Sequence, residues 1–352
     1  MRLMDQRDIC GLMPEELSAA MVELGQPAYR AGQIFRWIHQ KKALSFEEMT
    51  DLPIGLRAWL EENFTITSLK LKKRLVSSID NTVKYLYEFV DGAAVEAVRM
   101  EYRHGASLCI STQVGCKMGC TFCASALAGF MRDLTPAEML RQVYEAERDA
   151  DGPIGHVVLM GIGEPLDNMD NVLRFLQLLS HSEGRNISLR NVTLSTCGLV
   201  DQIDRLAGYG LGLTLAVSLH APNDDIRRRT MPVSQRWPMD ELLAACKRYT
   251  KATGRRITYE YALIDGLNDA PGHARELAGK LKGSLCHVNL IPVNPVKEAG
   301  YRGSAKDKVH QFAEILSVQG IPVTVRRTLG EDIEAACGQL RRETLGMSQS
   351  HI

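Results

Sequence analysis

Leu108-Cys109-Ile110-Ser111-Thr112-Gln113-Val114-Gly115-Cys116-Lys117-Met118-Gly119-Cys120-Thr121-Phe122-Cys123 is the stretch from which the rest of the chain can be read. A short apolar run, Leu108 to Ile110, leads into a loop where three thiols fall within eight residues at the spacing C-x3-C-x2-C. Thiolates are soft donors suited to zinc or to iron–sulfur clusters. A structural zinc ion normally closes with four ligands, and this loop supplies three. A 4Fe–4S cluster on three cysteines keeps one iron open to something else. Three core cysteines, or a zinc site completed from elsewhere, are the alternatives at this point.

Downstream of this loop, apolar runs of strand length alternate with helical patterns, the signature of a parallel α/β sheet. Strands are expected at 108–111, 156–160, 191–195, 213–219, 257–263, 287–291 and 323–326, with helices at 136–149, 170–180, 239–253, 273–281 and 306–319. Six such units make a partial (βα)6 barrel, in which chemistry belongs at the carboxyl ends of the strands. Upstream, Leu69 to Met100 alternates as strands do, with a hairpin over Val83–Val90, Asp91-Gly92 and Val95–Met100. Before that, Pro14 to Phe64 is helical: Pro14-Glu15-Glu16-Leu17 reads as a start, and Ala19, Met21, Val22 and Leu24 as an apolar stripe. Ile34, Trp37 and Ile38 share a face of the next helix, and Ser45-Phe46-Glu47-Glu48 resembles a capped start for another turn. The expected division is 1–68 a helical accessory domain that binds RNA, 69–104 a linker hairpin, 105–330 the barrel and 331–352 a tail.

In 352 residues, an apolar content of 45% and a charged content of 24% are those of an ordinary globular protein. No stretch approaches the run of about 18 apolar residues that a membrane helix needs, and Met1 to Cys10 does not read as a signal peptide. Nine cysteines without a secretion signal suggest cytosolic metal and redox chemistry. The formal net charge is +0, so a nucleic-acid partner would have to be held by local patches. Such patches are Lys70 to Arg74, Arg227-Arg228-Arg229, Arg255-Arg256 and Arg326-Arg327. Arginine runs are usually solvated faces.

Further motifs fall at the expected strand ends. Met160-Gly161-Ile162-Gly163-Glu164-Pro165 combines glycines that allow close backbone approach with an exposed carboxylate able to meet an ammonium group. Ser195, Ser218-Leu219-His220 and Asn294 offer hydroxyl, imidazole and amide groups suited to a ribose and a carboxylate. Cys10, Cys197, Cys246 and Cys286 read as ordinary buried thiols.

The cysteine loop, with an aromatic before its last thiol, resembles that of the radical S-adenosylmethionine (SAM) superfamily. Within it the chain is similar to the RlmN/Cfr family of dual-specificity RNA methyltransferases. The likeness is carried by Tyr29-Arg30-Ala31-Gly32-Gln33, Cys109 to Cys123, the Gly-Glu-Pro turn, Ser218-Leu219-His220 and the tail Asp332-Ile333-Glu334-Ala335-Ala336-Cys337-Gly338-Gln339-Leu340.

The resemblance implies one 4Fe–4S cluster on Cys116, Cys120 and Cys123, and SAM bound at Gly163, Glu164, Ser195, Ser218, Leu219, His220 and Asn294. It also implies two SAM per turnover. Cys337 would take a methyl group from one SAM. The methyl carbon would then be activated by a radical from the second and added to adenine. Glu96, in Val95-Glu96-Ala97-Val98, would accept the ring proton, and Cys109 would form a disulfide with Cys337 as product leaves.

The implied substrates are adenosine in 23S rRNA at the peptidyl transferase centre and adenosine 37 in tRNAs, the target base leaving its stack. An electron donor such as flavodoxin, a monomeric chain and a cytoplasmic setting complete the expectation. Cfr-type chains, which methylate carbon 8, carry Ala after the Gly-Glu pair and an extra Cys in the loop. Pro165 and Val114 stand there, favouring carbon 2. A non-methylating radical SAM enzyme and a cluster- or zinc-bearing RNA-binding protein are the other readings.

Overall fold

The computed structural model describes residues 7–103, 105–127, 129–292 and 300–335. Asn294 and Cys337 therefore lie outside the described residues.

The chain opens with helices α1 (Pro14–Glu23), α2 (Tyr29–His39) and α3 (Ile54–Asn63). Pro14 opens α1, and the Glu16 carboxylate accepts the N–H of Met13 at 2.7 Å, satisfying a donor that the helix leaves without a partner. The buried stripe of α1 is Leu17 and Met21, whereas Ala19 and Val22 face solvent. Met21 and Leu24 keep their place in the expected stripe, and Leu17, four residues before Met21, takes the place of Ala19 and Val22. On α2 the buried face is Ala31, Ile34, Phe35 and Ile38, and Trp37 is only half-buried, its indole N–H bonded to Asp51. Ser45–Glu48 does not start a helix. The Glu48 carboxylate accepts the Leu44 N–H, while Phe46 and Met49 anchor the turn in the core, and α3 begins only after Pro53.

One ten-stranded sheet organises the remainder. Its strands are β1 (Lys70–Val76), β2 (Val83–Glu88), β3 (Ala94–Tyr102), β4 (Gly105–Cys109), β5 (Ile154–Leu159), β6 (Val192–Thr196), β7 (Thr214–Ser218), β8 (Ile257–Leu263), β9 (Cys286–Pro292) and β10 (Val323–Val325). Every strand pairs with its chain neighbour, so spatial order equals sequence order. Pairings β1 to β4 are antiparallel and those from β4 to β10 are parallel. The expected hairpin thus continues the barrel sheet directly. Helices α4 (Pro136–Ala150), α5 (Met169–Ser180), α6 (Val200–Ala207), α7 (Met239–Thr253), α8 (Pro271–Leu281) and α9 (Lys306–Val318) fill the crossovers. The strands and helices expected from residue 108 onward are all present, Ile257–Leu263 and Met239–Thr253 with the expected bounds and the rest with shifted ends; α6 was not foreseen.

Parallel strands covered by helices on both faces read as continuous apolar runs. Here they alternate instead. Leu108, Val157, Leu159, Val192, Leu194, Leu215, Val217, Tyr259, Val288 and Leu290 point into the helix-covered core. Ser107, His156, Thr193, Thr214, Thr258, Glu260 and Asn289 point to the other face, where they line a cavity of about 820 Å³. That polar inner wall is the concave side of a partial (βα)6 barrel.

Candidate active site

The cysteine loop is held at both ends. A short antiparallel pair, Gln113–Gly115 with Phe130–Asp133, carries it away from β4. Gly115 has φ +83, and a Cβ there would lie 1.7 Å from the Gly129 carbonyl oxygen, so only glycine lets the two backbones meet. Cys116 donates its N–H to Gly129 (3.1 Å), Cys123 to Cys120 (3.1 Å), and Thr121 to Thr230 (2.9 Å). All three thiols are half-buried. Burial pushes the Cys116 thiol up to about 12, with Cys123, Glu164 and Asp167 adding repulsion. Cys120 is raised still further, by burial and then by the other two cysteines.

Thiols in such a place shed their protons together only when cationic metal balances the charge. The donor set therefore fits an iron–sulfur cluster. Among the described residues no three His, Cys, Asp or Glu side chains converge on one metal ion. A 4Fe–4S cluster, which takes one thiolate per iron, does not require that convergence.

The Gly-Glu-Pro turn departs from expectation. The Glu164 side chain is buried, not exposed: one carboxylate oxygen accepts the Cys197 N–H (2.7 Å) and the other the Leu166 N–H (3.0 Å). Burial raises its pKa against the pull of those amides. The two glycines are needed by the protein itself. A Cβ on Gly161 would come within 2.5 Å of the Ile110 carbonyl oxygen, and one on Gly163, at φ +111, within 2.6 Å of the Gln113 Cβ. Gln113, unnoticed in the sequence, is the hub: its amide nitrogen donates to Asp133 and Asp167 (2.8 Å each), and its oxygen accepts the Glu164 N–H (2.9 Å). The turn and the cysteine loop are thus locked to each other.

Ser195 and Ser218 sit half-buried at the ends of β6 and β7, and Leu219 is buried. His220 has φ +53, and its Nδ1 accepts the Ala262 N–H at 2.9 Å, which fixes the neutral ring with its proton on Nε2. Burial, then Arg227, lowers its pKa to about 3. Phe122 of the cysteine loop packs edge-on against this ring, with centroids 5.0 Å apart. Of the arginine run read as an RNA patch, Arg227 points inward and donates to the carbonyls of Cys197 (2.7 Å) and Ser218 (3.4 Å). Arg228 and Arg229 remain on the surface.

Glu96 and Cys109 lie on the concave face. Cys109 pairs with Val98 in register and is buried with Val98, Met100, Met160, Leu329 and Ala335. Glu96 lies two residues further, beyond the carboxyl end of β4, where its backbone carbonyl accepts the Ser111 hydroxyl at 2.7 Å. Its carboxylate pairs with Lys84 at 3.2 Å, and both side chains are 1% exposed or less. After β10 the chain runs back along this face. Gly330 donates to Asp80 (2.8 Å), Asp332 accepts from Ser78 (2.9 Å from the amide), and the Glu334 carbonyl accepts from Lys84 (2.8 Å). Cys337 follows beyond the described residues, so its pairing with Cys109 and the place of Asn294 lie outside the structure described.

Lys84, Glu260 and Asn289 escaped the sequence reading, and Arg326, read there only as part of a basic patch, lines the concave cavity beside Glu260. Glu260 accepts from Asn289 (2.8 Å), and burial raises its pKa against the opposing effects of Arg326 and Asn289. A period-two polar pattern inside the apolar strands, as in Thr258-Tyr259-Glu260, was the available signal.

Residues 110–278 match the model of the radical SAM superfamily, and residues 7–66 that of the ribosomal RNA large subunit methyltransferase N-terminal domain. The chain is 49% identical over 342 residues to the probable dual-specificity RNA methyltransferase RlmN of Alkaliphilus oremlandii, covering 97% of this chain and 99% of that one. It is 49% identical over 335 residues to the protein of the same description from Lachnoclostridium phytofermentans, covering 95% and 94%. Among solved structures, a radical SAM methyltransferase from Sphaerobacter thermophilus superposes with a TM-score of 0.90 at 43% identity, over 95% of this chain and 98% of that one.

Proposed function

Because the chain belongs to the RlmN family of dual-specificity RNA methyltransferases, we propose that it methylates carbon 2 of adenosine in 23S rRNA and of adenosine 37 in tRNAs, with Cys337 as the methyl carrier. The observation that carries this reading is the tail. Its described end, Ala335, packs in one cluster with Cys109 on the face that also bears Glu96. Cys337 stands two residues further along the chain.

Cys116, Cys120 and Cys123 would hold the 4Fe–4S cluster, which would supply a SAM-binding iron and the electron for reductive cleavage. The chain's own residues do the rest. Glu164 has its carboxylate, its N–H and its carbonyl all engaged within the protein, so it serves the SAM site by holding the turn in place beside Gly163. Ser195, Ser218, Leu219, His220 and Asn294 complete the SAM site; the His220 tautomer presents an N–H donor at Nε2.

The Cys337 thiolate attacks the methyl carbon of one SAM, its new S–C bond forming as the sulfonium C–S bond breaks and S-adenosylhomocysteine leaves. Carbon 2 of adenine is too electron-poor to attack SAM directly, which is why a carrier thiol is needed. Glu96 takes the proton that the ring carbon loses. The Cys109 thiolate then attacks the Cys337 sulfur, so that the disulfide forms as the bond from Cys337 to the transferred carbon breaks. That carbon keeps the electron pair and takes up a proton to become the methyl group, and a thiol reductant later restores both cysteines. A one-electron donor such as flavodoxin, two SAM per turnover and a monomer working in the cytoplasm belong to the same reading. So do an RNA-binding accessory domain at 1–68, a linker hairpin at 69–104, the barrel at 105–330 and the tail at 331–352. Among the described residues no helix is long and apolar enough to cross a membrane.

Nucleoside mass spectrometry of RNA from cells carrying the wild type, the Cys337→Ala variant or no copy tests the reading. The variant and the null should both lack 2-methyladenosine. Modification surviving in Cys337→Ala would refute the carrier role, and loss of 8-methyladenosine instead would move the chemistry to carbon 8.

A further inference from the structure

Arg227 belongs to the short helix Asp224–Thr230 and is followed by two surface arginines, yet its own side chain is fully buried. A guanidinium keeps its proton inside a protein, so this is a permanent positive charge taken out of water. Such a charge ordinarily finds a carboxylate. Here Nη2 donates to the backbone carbonyls of Cys197 (2.7 Å) and Ser218 (3.4 Å). Among the described residues, Nε and Nη1 have no hydrogen-bond partner, and no carboxylate is bonded to the group. Burial lowers its pKa, and the groups whose negative charge most opposes that are Cys197 and Cys120, ahead of Asp224. Of the two cysteines, Cys120 is the candidate cluster ligand. The helix is also tied to the cysteine loop on both sides of that thiol. The Thr121 N–H donates to the Thr230 carbonyl (2.9 Å), and a Cβ on Gly119 would lie 3.6 Å from Pro232 Cγ.

We propose that Arg227 is the buried counter-charge of the iron–sulfur cluster and raises its reduction potential; this rests on the reading above, in which Cys116, Cys120 and Cys123 hold that cluster. The thiolate ligands outweigh the positive charge of the oxidised core, so the unit is a net anion, and the electron from the donor adds to that charge. A fixed cation in a dry setting stabilises the reduced form more than the oxidised one, because the attraction grows with the charge it faces and little water screens it. Net charge near the sulfurs is among the determinants of such potentials. Arg227 itself gains and loses no proton in this role. Without the cluster the guanidinium lies unbalanced, which works against the empty site; loading supplies the anion. A surface arginine could not do the same, since water and salt would screen it.

Redox titration of the full-length, cluster-loaded chain tests this apart from turnover, with the paramagnetic signal of the reduced cluster as readout and neither SAM nor RNA present. Arg227→Gln removes the charge and keeps an amide donor. Its cluster should be about tenfold harder to reduce, a potential lower by about 59 mV for one electron. Arg227→Lys keeps the charge and should stay within about threefold of the wild type in the same equilibrium. Arg228→Gln, one residue along and exposed, should titrate as the wild type does. A wild-type potential in loaded Arg227→Gln overturns the proposal. So does a shift in Arg227→Lys as large as that in Arg227→Gln, which would make the role one of packing, or an equal shift in Arg228→Gln. If Arg227→Gln does not fold or load, Arg227→Lys decides alone: the wild-type potential supports the proposal and a tenfold loss overturns it. A wild-type chain that takes up no iron would overturn the cluster reading, and this proposal with it, before any potential is measured. Failure of the carrier reading would appear separately, as methylation surviving in Cys337→Ala, and would leave the potentials standing.

Discussion

Gly163 shows how one residue type can be required for a reason other than the obvious one. In sequence, a glycine beside a candidate ligand-binding carboxylate suggests room for the ligand. In the fold, φ of +111 and a Gln113 Cβ 2.6 Å from the position of any added methyl mean that the protein's own chain fills that room. Gly163→Ala should therefore destabilise the protein by about 3 kcal/mol, combining left-handed strain with a clash against a sheet-anchored backbone. Chemical denaturation would measure it, and a cost below about 0.5 kcal/mol would contradict the packing described. Because Gln113 ties this turn to the cysteine loop, the same variant should also take up less iron on reconstitution. The three thiols and the glycines were legible as residue types at fixed spacing. Which atoms the glycines make way for was not, since the partners come from another turn of the chain.

Between elements, the docking of α2 on α4 carries a pH dependence. His39 of α2 shares a hydrogen bond of 2.8 Å with the Tyr144 hydroxyl of α4, and Phe35 packs against its ring at a tilt with centroids 4.3 Å apart. Burial, and then the charges of Arg141 and His181, bring its pKa down to about 3 from an ordinary 6.5. A folded value below the unfolded one means that the unfolded chain binds the extra proton. The stabilisation is complete above about pH 6.5 and is lost as pH falls towards 3, at up to about 1.4 kcal/mol per pH unit. His39→Gln, which removes the titration, should flatten the difference between denaturation curves at pH 7 and pH 5; an unchanged slope would rule out His39 as its source. The helical periodicity of Tyr29 to His39 announced the element itself. That His39 would be the residue facing α4 depended on where a helix more than a hundred positions later came to lie.

Across the whole molecule, the sheet brings distant segments together by its consecutive order. Its two edges, β1 and β10, lie at opposite ends, and the described tail runs from the β10 side back to the β1–β2 turn. Asp332 is one of the clasps, accepting from both the amide and the hydroxyl of Ser78 at an exposed position. Such bonds contribute about 1 kcal/mol, enough to lower the docked fraction of a marginally held tail about fivefold but too little to affect the barrel. Asp332→Ala should thus become more sensitive to protease near residue 332 and methylate RNA more slowly, with an unchanged melting temperature. A lowered melting temperature together with wild-type methylation would show that the tail serves stability instead.

The sequence by itself determined the order of strands and helices, the three-thiol loop and the family, because periodicity and ligand spacing are properties of neighbours along the chain. The tertiary structure alone decided that Glu164 turns its carboxylate inward, that Arg227 leaves the surface, and that Lys84 meets Glu334 across 250 positions. Those outcomes depend on which buried charges and amides find each other once the sheet has curled. No local pattern of residues encodes a partner that the chain reaches only by folding.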